Sequence, residues 1–184
     1  MAMKLVPAFA AALGLFAGAA QAFPLVSPDH NVIGSAESAA PKSISGAATV
    51  VAFDHKGSMR VLRQGTNNFT CMPDDPTTPG NDPICVDANG LAWLIALANH
   101  QTPPTGKVGV GYMLAGGSDA SNIDPYASAP ADGAQWITTG PHLVILNVAD
   151  QMQGYAEKQT TPDVTKPFVM YSGTPYARLV MPVK

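Results

Sequence analysis

Apolar and polar positions alternate in short runs along most of this chain, and a single segment carries a clear helical period. Ala48 to Asp54 (ATVVAFD) is dense in β-branched and aromatic residues, and Ser58 to Gln64 (SMRVLRQ) alternates apolar with polar, so both read as strands. Asp54-His55-Lys56-Gly57 separates them, and Gly57 can take the positive φ of a bulged turn, which predicts an antiparallel hairpin. Arg60 and Arg63 fall on opposite faces of the second strand, so at least one must meet a carboxylate or lie at an edge. Lys107 to Leu114 is a third strand. It places Val108, Val110, Tyr112 and Leu114 on one face, and Lys107, Gly109, Gly111 and Met113 on the other. Two glycines on one face let another element approach closely, a tightly packed helix in the first instance and a ligand in the second.

His142 to Val148 (HLVILNV) is a nearly continuous apolar run and reads as a central strand. Phe168 to Ser172 and Arg178 to Met181 are two more strands, joined by the turn-forming Gly173-Thr174-Pro175-Tyr176. The one clear helix starts after Asp87, whose carboxylate can accept from a first-turn amide. Leu91, Leu94, Ile95 and Ala98 follow at i, i+3, i+4 and i+7, predicting the buried face, and Pro103-Pro104 stops the helix beyond Asn99 or His100. Trp93 lies off that stripe, which places it against the cysteine loop that precedes the helix. Ala149 to Tyr155 is expected to add a short helix, and Glu157 to Lys166 a polar connection. Strands that recur in pairs around one helix predict an α+β fold: a single domain with a mainly antiparallel sheet of five to six strands, one main helix on one face, and one disulfide.

The N-terminus changes the picture of compartment. Lys4, the apolar run Leu5 to Ala19 and Ala20-Gln21-Ala22 have the form of a signal peptide over residues 1–22, with the mature chain beginning at Phe23. Residues 23–46, rich in Ser, Ala and Pro with few large side chains, predict a flexible surface arm, and residues 47–184 the single α+β domain. With 46% hydrophobic and 12% charged residues the chain is of ordinary globular composition. Its formal charge is −3, and −4 once Lys4 is removed, with no cluster of Lys or Arg. That argues against nucleic acid and anionic lipid as partners, and against membrane insertion after signal removal. The expected location is periplasmic or secreted.

Cys71 and Cys85 are the only cysteines, and in an oxidising compartment they predict a disulfide. The loop between them contains four prolines and Asp74, Asp75 and Asp82. Those carboxylates make calcium the one candidate cofactor, since Ca²⁺ gathers about six to eight oxygens. The loop lacks EF-hand spacing, however, and turns capped by aspartate account for the same residues. Met72, Met113, Met170 and Met181 sit in apolar strands or beside proline, where core filling takes precedence over copper.

Residues 115–141 form a connection too long and too irregular to be mere linkage. Ser118, Asp119, Ser121, Asn122, Asp124 and Tyr126 give it a high density of side-chain oxygens, Trp136 adds an aromatic surface, and His142 stands at the mouth of the following strand. Two functional expectations arise. One is a non-catalytic binding or envelope-associated domain that takes a small polar ligand, or another envelope component, through the Gly116–Trp136 loop. The other is a small hydrolase with Ser118, His142 and Asp119 as nucleophile, general base and orienting acid. The nucleophile elbow G-x-S-x-G is absent, which favours the first.

The segments GTNNFTCMPDDPTTPGNDPIC, GYMLAGGSDASNIDPYA, TGPH and SGTPYARLVMPV resemble a family of small exported bacterial proteins, over about Ala48 to Val183. That resemblance implies export and a single domain, and it transfers no catalytic role to any residue.

Overall fold

The computed structural model describes residues 28–53, 59–148 and 151–183. The expected signal segment 1–22 and the expected turn over Asp54–Gly57 lie outside the described residues. In chain order the elements are α1 (Pro28–Ser38), α2 (Lys42–Ser45), β1 (Thr49–Phe53), β2 (Met59–Arg63), β3 (Phe69–Met72), β4 (Ile84–Asp87) and α3 (Ala88–Ala98). They continue with β5 (Gly109–Met113), β6 (Gly117–Asp119), β7 (Ile137–Thr139), β8 (His142–Leu146), β9 (Phe168–Met170) and β10 (Arg178–Pro182).

The fold is α+β, built on one eight-stranded sheet in the order β2-β1-β3-β4-β5-β8-β10-β9, with β6 and β7 forming a separate two-stranded ribbon. Every neighbouring pair in the large sheet is antiparallel except β1 and β3. The expected five to six strands become eight because β3 and β4 were hidden inside the cysteine loop. Each is only four residues long and bounded by proline or turn residues, so neither shows a period of its own. They pair with Cys71 directly opposite Cys85, and these two cysteines form the disulfide.

Register alternation sorts the side chains into two faces. One carries Val86, Gly109, Gly111, Val144, Leu146 and Val180, and α3 packs on it. Gly109 allows that contact: a Cβ there would stand 2.6 Å from the Gly90 backbone nitrogen of α3. The two-glycine face of β5 therefore serves helix packing. The other face carries the disulfide. There Ala36, Ala39, Ala40 and Ala48 pack with Val50, Cys71 and Cys85, supported by Ile33, Ile44 and Tyr112. Part of the stretch expected to be a flexible arm is thus helical and docked. Small alanines permit close approach to a sheet, so a lack of large side chains did not mean a lack of core. Glu37 of α1 also pairs with Arg63 at the end of the edge strand β2.

Two further expectations change. The buried face of α3 is Gly90, Trp93 and Ala96, whereas Ile95 is exposed and Leu91 and Leu94 are only partly covered. The helix sequence ANGLAWLIALA is apolar nearly all round, so its period does not choose a face. Trp93 accordingly lies in the main core, edge-on to Tyr176, and not against the cysteine loop. The short helix expected over residues 149–155 is absent from its described part, where residues 151–155 run as bends and turns.

Candidate functional site

The two ends of the long connection pair with each other as β6 and β7, and strand alternation then sends successive side chains in opposite directions. Ser118 faces the cysteine loop. Its hydroxyl donates to Asp82 Oδ2 at 3.1 Å and accepts from the Gly80 amide at 3.1 Å. Asp119, one residue on, faces the sheet, where its Oδ1 accepts from Arg178 at 2.6 Å and from the Tyr171 hydroxyl at 3.3 Å. The Arg178 guanidinium lies 5.0 Å from the centre of the Tyr171 ring and also donates to Met170 Sδ.

His142 sits at the start of β8 and is 2% exposed. Its Nδ1 lies 2.8 Å from the Gly140 carbonyl and must donate the proton, because a carbonyl only accepts. Burial pushes its pKa below the ordinary value, with the Gly140 contact and Asp119 opposing that shift and Arg178 adding to it. Burial likewise raises the Tyr171 hydroxyl to about 12. The serine–histidine–aspartate arrangement is not formed, because Ser118 is engaged by Asp82 and Gly80 while His142 is engaged by Gly140.

The three carboxylates of the cysteine loop are drawn together but are occupied by the loop itself. Asp74 accepts from the Asp82 amide, Asp75 from the amide and hydroxyl of Thr77, and Asp82 from the Asp75 amide and the Thr78 hydroxyl. Asp74 has a raised pKa, chiefly from burial. Among the described residues no group of three or more His, Cys, Asp or Glu is placed to hold a metal ion. These hydrogen bonds cap the turns of the loop.

The remaining candidates part company. Asn122 is buried and donates to the carbonyls of Gln159 and Val169, anchoring the loop to β9. Trp136 lines a hollow with Ser121, Ile123 and Thr160. Asp124 and Tyr126 line a different one, an open cleft of about 480 Å³ shared with His100, Thr102, Thr174 and Tyr176. That volume falls in the range of small-molecule sites.

Aromatic side chains dominate this cleft. His100 and Tyr126 stack with ring centres 4.1 Å apart and planes 9° apart, and Tyr126 meets Tyr176 edge to face at 5.6 Å. A directed chain of hydrogen bonds fixes them: Tyr126 donates to the Tyr176 hydroxyl at 2.9 Å, and Tyr176 donates to the Gln101 carbonyl at 2.8 Å. The bond from Tyr126, and then burial, raise the Tyr176 pKa to about 12.

The backbone presents His100 at a cost. After the Asn99 cap, His100 has φ 55°, its amide bonds to Leu97, and the Gln101 amide bonds to Ala96. This is the Schellman ending of a helix, in which the left-handed position is usually glycine. His100, Thr174 and Tyr176 were missed as site residues. A histidine at the left-handed position past a helix end is the one signal that could have marked His100. No protein-family model, curated protein or solved structure matches this chain. Among the described residues no helix is long and apolar enough to cross a membrane.

Proposed function

We propose that the protein is an exported, non-catalytic binding domain, periplasmic or secreted, whose Gly116–Trp136 loop forms one wall of a small-ligand cleft. The observation that carries this reading is the His100–Tyr126–Tyr176 aromatic set, in which exposed His100 and Tyr126 line an open cleft while Tyr176 roots them in the core beside Trp93. A histidine in the left-handed position of a helix end is locally unfavourable, and such strain concentrates where a side chain is needed for binding. Anchoring by Asn122 and Asp119, with the loop ends paired as β6 and β7, supports a preformed site, which lowers the ordering cost of binding.

Hydrolysis is the weaker alternative, because a general base must reach the proton it abstracts and His142 is buried with Ser118 engaged elsewhere. The test is a ligand-observed NMR screen of a chemically mixed fragment set against wild type and Tyr126→Ala. Fragments that bind wild type and are lost in the variant are the expected result. A set of hits that Tyr126→Ala leaves unchanged would overturn the assignment of the cleft.

A further inference from the structure

We infer that the cleft recognises an organic cation carrying N–H donors, an ammonium or guanidinium group on a short apolar stem. This rests on the cleft being a binding site and goes further by naming the chemistry of its ligand.

The polar atoms turned toward the ligand are chiefly acceptors. Asp124 Oδ1 accepts from the Tyr126 amide at 2.9 Å, which leaves Oδ2 for a ligand. The Tyr126 hydroxyl spends its proton on Tyr176, and Tyr176 spends its own on Gln101, so Tyr126 Oη offers lone pairs and no hydrogen. Thr174 is similarly committed, donating to the Tyr171 carbonyl and accepting from the Tyr176 amide. Asp124 and Tyr126 therefore call for a donor on the ligand, beside the His100 ring and the Thr102 hydroxyl, which can each donate or accept.

Charge points the same way. Among the described residues Asp124 is the one carboxylate lining the cleft, and no Lys or Arg lines it. A carboxylate or phosphate ligand would therefore meet Asp124 with no Lys or Arg to compensate. The cleft also lies at the C-terminal end of α3, where the helix dipole favours positive charge. Tyr126 supplies an aromatic ring of the kind that attracts a cation, with His100 stacked on one of its faces. Ile123, Pro125 and Pro175 supply apolar contact for a stem.

The experiment follows backbone amide signals of the oxidised protein by NMR while n-butylammonium, methylguanidinium, tetramethylammonium, methyl glucoside and butyrate are titrated separately. Butylammonium and methylguanidinium should shift the signals of His100, Tyr126 and Gly173 saturably, and more strongly than tetramethylammonium, which has no N–H. Butyrate should leave them unmoved. Asp124→Asn keeps an acceptor for the Tyr126 amide and should weaken butylammonium binding at least tenfold, as should a rise in salt, in the same direction, by screening. His100→Gly relieves the left-handed backbone and should keep the fold while losing affinity, which separates binding from folding. Methyl glucoside moving the cleft signals while the cations do not would overturn this inference and leave the cleft a binding site. Silence at the cleft from every probe would overturn both.

Discussion

Asp119→Asn is expected to be strongly destabilising although it is isosteric. The substitution keeps size and hydrogen-bonding capacity but removes the one charge that, among the described residues, pairs with Arg178, which is buried against Met170 and Tyr171. Burial alone disfavours the charged guanidinium, while Asp119 and Tyr171 act to hold its proton. An arginine does not escape by neutralising, so a cation in the core would lose its counter-charge. The Asp119 side chain is 19% exposed and that of Arg178 9%, which places the pair between surface and core limits. Unit charges at about 4 Å attract by roughly 4 kcal/mol at an effective dielectric of about 20. Breaking a buried pair from one side costs about 3–5 kcal/mol. Partial exposure puts the expectation near the lower end, about 3 kcal/mol, or a fall in Tm of roughly 6–12 °C for a chain of this size. The assay is urea and thermal unfolding of Asp119→Asn, Arg178→Met and the double variant. Arg178→Met should be milder, since Asp119 can take up water, and the double variant should recover much of the loss. A loss within about 0.5 kcal/mol for Asp119→Asn, or strict additivity in the cycle, would refute the view of a charge pair held in the core.

Three other outcomes are expected. Cys85→Ser should cost about 2–5 kcal/mol, read as a lower urea midpoint, because the bridge closes the loop between β3 and β4; an unchanged midpoint would show the strand pairing suffices. Gly109→Ala should cost about 1–3 kcal/mol, since its Cβ would meet the rigid backbone of Gly90, while Gly140→Ala, with nothing nearby, should be close to neutral; equal effects would dismiss the close approach of α3. For His142 the folded pKa lies below the ordinary 6.5, so below that pH the unfolded chain binds more protons than the folded one. Its contribution is complete above pH 6.5 and is lost as pH falls, by at most about 1.4 kcal/mol per pH unit. His142→Asn, whose amide can still donate to Gly140, should flatten that acid slope in unfolding titrations between neutral and mildly acidic pH, and an unaltered slope would assign it to other groups.

Much of the sheet was legible because β1, β2, β5, β8, β9 and β10 each carry their own alternation or apolar run. Strands β3 and β4 were not, because what makes them strands is the pairing itself: four residues apiece, locked together with a disulfide directly across the ladder. The docking of α1 escaped for a related reason. Its buried residues are alanines, whose value lies in how closely they let the helix approach Val50 and the disulfide, a property of the partner surface more than of the helix. For α3 the cap at Asp87 and the end at Asn99 were readable, since capping is local chemistry. Its orientation was not, because a helix apolar on all sides is turned by what it meets, here Gly109 beneath Gly90 and Tyr176 beside Trp93.

The same division explains the site. Composition pointed to the Gly116–Trp136 loop as a dense run of polar side chains, but density does not say which way each one faces. Two short strands decide that: Ser118 goes to the cysteine loop, Asp119 to the buried arginine, and only after the Asn122 anchor do Asp124 and Tyr126 reach the cleft. Most of the loop's polar residues therefore position the wall, and few are left to meet a ligand. The groups opposite Tyr126 come from the end of α3 and from the β9–β10 turn, remote in sequence and individually unremarkable. What joins them is directional: each proton along the Tyr126–Tyr176–Gln101 chain points inward. Tyr126 and Asp124 are thereby left as acceptors on the open side, a polarity that belongs to the assembled wall and to no segment of it alone.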